Sequence, residues 1–79
     1  MLKEKVLQTV VSFPNTTSAL AMERSCRAAD IPGRIIPVPN QITAGCGFAW
    51  RAEVKERDLI EAFILEKGLT YDRIYTIEI

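Results

Sequence analysis

The chain has 79 residues, 48% of them apolar and 25% charged, and its ten basic and ten acidic side chains cancel to zero. That balance is globular and excludes disorder, and without a basic surplus nucleic acid is not an expected partner. No apolar run approaches the roughly 18 residues of a membrane span, and the charged start Met1-Leu2-Lys3-Glu4-Lys5 is unlike a signal peptide; the expectation is one cytoplasmic domain over residues 1–79, with no membrane attachment.

Lys5 to Phe13 is rich in β-branched residues and is stopped by Pro14, so it reads as a strand. Leu7, Val11 and Phe13 share one face while Val6 and Val10 lie on the other, which suits a central strand. Asn15-Thr16-Thr17 offers helix N-caps, and Ser18 to Asp30 carries a narrow stripe of Ala19, Met22, Cys26 and Ala29. Ile31-Pro32-Gly33 is expected to stop that helix. Arg34 to Pro39 reads as a second strand whose prolines confine it to a sheet edge. A polar loop over 40–45 leads to a third strand, Cys46 to Ala52. The second helix runs from Glu56 to Lys67, with Leu59, Ala62, Phe63 and Glu66 on one side and Ile60 and Ile64 beside them. Gly68 supplies its C′ residue. Asp72 to Ile79 alternates as a last strand.

The order β-α-β-β-α-β predicts an α+β, ferredoxin-like sandwich, a four-stranded antiparallel sheet with two helices on one face. Right-handed crossovers place the first and third strands in the middle. The other face is then open, and a homo-oligomer through that face is the expectation. The alternative is a monomer whose open face is dressed by Thr9, Arg34, Arg51 and Thr76.

The sequence has no histidine, which removes the commonest general base and metal ligand. Two cysteines without a CxxC pair make no metal site within one chain, and no cofactor motif is present. Cys26 falls on the apolar stripe of the first helix and reads as core. Cys46 is different, because Gly45 and Gly47 on either side leave its sulfur approachable. Glycine-rich amides also converge on anions and favour thiolate over thiol. The competing reading makes Cys46 a small buried residue at a turn. A symmetric hairpin around 40–45 sets Pro39 against Cys46 and Arg34 against Arg51. Like charges so opposed are destabilising unless an anion joins them. In that register both arginines lie on the face opposite to Cys46, Phe48 and Trp50. Weaker candidates are the cap Phe13-Pro14-Asn15-Thr16-Thr17 as an anion site and Trp50 as a stacking platform.

The strand ending in Phe13-Pro14, the segment Gly33-Arg34-Ile35-Ile36-Pro37-Val38-Pro39, and above all Ile42-Thr43-Ala44-Gly45-Cys46-Gly47-Phe48-Ala49-Trp50-Arg51 resemble the selenium/sulfur carrier protein-like family over roughly residues 6–78. The resemblance implies a non-enzymatic thiol that bears sulfur or selenium as a persulfide or selenosulfide, passed between donor and acceptor proteins. Cys46 matches the carrier position, within a motif formed by Thr43, Gly45 and Gly47. Arg34 and Arg51 match the family pattern with an open role. The alternative is a non-catalytic homodimeric binding module in which Cys46 is structural.

Overall fold

In the computed structural model residues 6–42 and 47–79 are described. The elements are β1 (Leu7–Ser12), α1 (Thr16–Ala29), β2 (Arg34–Pro37), β3 (Phe48–Glu53), a short 3₁₀ turn (Val54–Glu56), α2 (Arg57–Lys67) and β4 (Arg73–Glu78). The sheet order is β2-β3-β1-β4 and every neighbouring pair is antiparallel. Two crossovers are interleaved in it. β1 and β2 run the same way with β3 between them, and β3 and β4 run the same way with β1 between them. This is the expected α+β, ferredoxin-like arrangement, with β1 central and the proline-bearing β2 at an edge.

β1 is central because it is apolar on both sides. Val11 and Phe13 join Ala19, Met22 and Cys26 of α1, Ile60, Phe63 and Ile64 of α2, and Trp50 and Ala52 of β3 in one buried cluster. Both helices therefore cover the same face. Asn15 starts α1, its Oδ1 accepting from the Ser18 amide at 2.8 Å and from the Ser18 hydroxyl at 2.8 Å. Arg57, at the start of α2, donates to Thr76 Oγ1 at 2.6 Å and to the Ile74 carbonyl at 3.4 Å, fastening the helix to β4.

Several expectations need correction. Ala29 is exposed and Ser18 takes the place in the buried stripe of α1. In α2 the buried residues are Ile60, Phe63 and Ile64, whereas Leu59 and Ala62 face outward. Asp30, not the Pro32-Gly33 pair, ends α1. It adopts the left-handed conformation (φ 58°) and its amide donates back to Arg27, while the Ile31 amide reaches the Cys26 carbonyl at 2.8 Å. Those two bonds satisfy carbonyls that the helix leaves free. Gly33 serves a different purpose. Its φ is +121°, and a Cβ there would stand 2.6 Å from the Arg51 carbonyl and still closer to the Trp50 indole nitrogen. The missing side chain lets β2 begin directly against Trp50. Gly68 ends α2 with φ 65°, as its sequence position predicts.

The face opposite the helices is not bare. Beyond β2 the chain leaves the sheet after Val38 and lays Ile42 on it, only 6% exposed, against Val10 and Ala49. Ile36, Val38, Tyr75, Ile77 and Ile79 pack around this second cluster. Gln41 Nε2 donates to the Glu78 carbonyl at 2.9 Å, so the segment reaches β4, the far edge strand. Thr9 and Thr76, expected on this face, lie on the helix side instead. Thr9 opposes Ala52 of the helix-side cluster, and Thr76 accepts from Arg57.

Candidate functional site

Thr43, Gly45 and Cys46 lie outside the described residues, as does the expected pairing of Pro39 with Cys46. The residues that flank them are described. Ile42 is buried on the sheet, and Gly47 is exposed with nothing within 4 Å of where a Cβ would stand. The Val38 amide donates to the Gly47 carbonyl at 3.1 Å, extending the β2–β3 ladder to the edge of the motif. Antiparallel pairing of Ser12 with Ala49 sets the start of β3 beside the end of β1. Gly47 therefore stands at the end of the sheet where the chain turns through Pro14 and Asn15 into α1.

Cys26 is a free thiol with no exposed surface, packed between α1 and the sheet. Burial pushes its pKa up to about 11, because an anion there would lose its hydration. At neutral pH it is a protonated, apolar side chain, as its place on the helix stripe suggests. Trp50 is also core. It is 2% exposed and its indole N–H donates to the Pro32 carbonyl at 3.3 Å, which excludes the role of an open stacking platform.

Arg34 and Arg51 oppose one another across β2 and β3, as the hairpin register predicts. Ile36 and Ala49, two residues along each strand, belong to the cluster opposite the helices. The arginines thus share that face, with Trp50 and Ala52 on the other. They line a groove of about 490 Å³ together with Gln8, Pro32, Gly33, Ala52 and Glu53. A smaller groove of about 250 Å³ on the other side of Gly33 and Arg34 runs along Glu23, Arg27 and Asp30 of the α1 end. The arginines and the motif are held apart. Arg51 is four residues from Gly47, or about 13 Å along an extended strand. Sequence reasoning identified the arginine pair but not Gln8, Pro32 or Glu53 beside it. The register of β1 on β3, which pairs Gln8 with Glu53, is fixed by a long-range contact and has no turn to reveal it.

Among the described residues there is no group of three or more His, Cys, Asp or Glu side chains that could hold a metal, and no helix long and apolar enough to cross a membrane. No curated protein and no solved structure matches the chain. The family comparison does match, over residues 8–76, which takes in every strand and helix almost in full, both arginines and the glycine-cysteine-glycine segment. On that match the chain belongs to the family described as "Putative Se/S carrier protein-like".

Proposed function

We propose that this protein carries sulfur or selenium on Cys46, as a persulfide or selenosulfide, between a donor and an acceptor protein. One observation supports it above the rest. The chain has two cysteines, and Cys26 is sealed in the core and protonated up to about pH 11. The thiol work that the family description implies therefore falls to Cys46. The exposed Gly47, with no described residue beyond its chain neighbours within 4 Å of where a Cβ would stand, suits the approach of a partner to the adjoining sulfur. In the sequence Gly45 and Gly47, which carry no side chains, flank that cysteine, and Thr43 belongs to the same motif. The cytoplasm is the compartment proposed, where a reducing thiol pool keeps a single cysteine free.

The loading step balances without an outside oxidant. The Cys46 thiolate attacks the terminal sulfur of a donor persulfide, R–S–SH. The donor's S–S bond breaks as the new one forms, and the donor leaves as the thiolate R–S⁻. Unloading is the same step in the other direction, with an acceptor nucleophile taking the terminal atom and Cys46 leaving as thiolate. Neither step needs a general base, in keeping with a sequence without histidine.

Intact mass after incubation with a cysteine desulfurase and cysteine tests the proposal. The expected result is one added sulfur atom, removed by dithiothreitol, present in Cys26→Ala and absent in Cys46→Ser. An adduct retained by Cys46→Ser, or never formed by the wild type, overturns it.

A further inference from the structure

Two like charges set directly across an antiparallel ladder repel. The Val38 amide bond to Gly47 fixes the hydrogen-bonded pairs of the β2–β3 ladder. Alternation by two then makes Arg34 and Arg51 such a pair, with their α-carbons about 5.5 Å apart. Nothing in the described structure neutralises them. Among the described residues the ion pairs are Arg27 with Glu23 and Lys55 with Glu53, and neither the Arg34 nor the Arg51 guanidinium donates to an acceptor. Glu53, the one acid in the groove, has its carboxylate 3.9 Å from Lys55 Nζ instead. The groove thus holds two arginines and one carboxylate, a net charge of +1.

We infer that this groove is a binding site for a small ligand with an oxyanion head, a carboxylate or a phosphate, gripped by Arg34 and Arg51 together. Guanidinium groups present paired N–H donors at the spacing of two oxyanion oxygens. An oxyanion between them turns their repulsion into two attractive contacts. The recess of about 490 Å³ falls within the range of small-molecule sites. Gln8 and Glu53 pair across β1 and β3 in the next row of the same face. They supply an amide and an acceptor for whatever polar group the ligand carries beyond its head. Gly33, whose missing side chain brings the β2 start against Trp50, forms one wall with Pro32. The site stands on the arginine geometry alone and is independent of the role of Cys46.

The test is a titration of the ¹⁵N-labelled full-length chain with sodium phosphate and, separately, with sodium acetate, ionic strength being held constant with sodium chloride. Saturable shifts are expected at the side-chain Nε–H groups of Arg34 and Arg51 and at the amides of Gly33 and Ala52. Arg34→Gln and Arg51→Gln each weaken binding by about tenfold or more, the loss of a charged hydrogen-bonding pair. Arg51→Lys keeps the charge and falls between them and the wild type. Both side chains reach solvent, so the variants keep a dispersed, native spectrum. Shifts that fail to saturate, that spread evenly over the basic residues, or that are equal in wild type and both glutamine variants overturn the site. So does a groove that takes only a partner protein's acidic segment and neither small anion.

Discussion

On the helix side of the sheet, ten buried residues from β1, its extension at Phe13, α1, β3 and α2 lock together. On the opposite side the buried apolar residues among those described are Val10, Ile42 and Ala49, with Ser12 buried beside Ala49, and Ile42 comes from a connecting segment rather than from a helix or strand. One face is thus closed by regular elements with long apolar stripes. The other is closed by a few residues of chain on their way from β2 to β3. The difference bears on function, because that same segment runs straight into Thr43 and Cys46. The motif is attached to the lightly held side of the molecule, and Cys26 to the heavily held one.

The comparison breaks first on core deletions. Ile60, fully buried under α2, is expected to cost about 4 kcal/mol when changed to alanine, in the upper part of the range for a sealed aliphatic site. Ile42→Ala is expected to cost about 2 kcal/mol, since its cluster is small and its neighbours can close over the gap. Urea denaturation of the two variants measures both. Equal losses would mean that the two faces are held alike.

Cys26 sharpens the same contrast through pH. Its thiol is raised from an ordinary value of 9.0 to about 11 in the folded chain. Unfolding at pH 10 therefore releases a proton that the native state keeps. The stabilisation is fully present below pH 9 and is lost as pH rises toward 11, on the order of 2 kcal/mol in all. Cys26→Ala removes this slope, whatever its cavity costs at neutral pH. Stability curves of wild type and variant from pH 8 to 11 that stay parallel would show that the thiol is not sealed. Below pH 9 a thiol reagent should modify Cys26 only after denaturant is added.

Much of this layout is legible in the sequence. A strand apolar on both faces must be central, prolines mark an edge, and a hairpin closed around 40–45 sets Arg34 against Arg51, as found. Gly68 is readable because a helix end needs a left-handed residue and glycine takes it without strain. Asp30 does the same at the end of α1, yet Pro32-Gly33 nearby looks like the stronger signal. Glycine at 33 is there for the Trp50 ring, a tertiary demand that no local pattern carries. In α2, apolar residues at 59, 60, 62, 63, 64 and 65 allow more than one stripe. Docking against β1 and β3 selects Ile60, Phe63 and Ile64. Ile42 sits among Asn40, Gln41 and Thr43 with no period at all. Its burial follows from where the chain must travel, and so does the cover it gives the face opposite the helices. The candidate site divides likewise: the arginine pair follows from register, while its neighbours Gln8 and Glu53 depend on a pairing made across 44 residues.

The smallest effect separates two ways of holding that cover in place. Gln41 is exposed, and its bond to the Glu78 carbonyl at 2.9 Å competes with water at both ends. Gln41→Ala is expected to cost about 0.5–1 kcal/mol, less than Ile42→Ala. The two residues are adjacent and hold one segment, so their losses should not add. Once Ile42 is cut back, the segment leaves the sheet more readily and the Gln41 bond has less to contribute. In a double-mutant cycle the pair should therefore cost less than the sum of its parts by about 0.5 kcal/mol. Strict additivity would mean that Gln41 fastens β4 independently of the apolar contact. The segment would then be held at two separate points, and apolar burial would not be what governs its position.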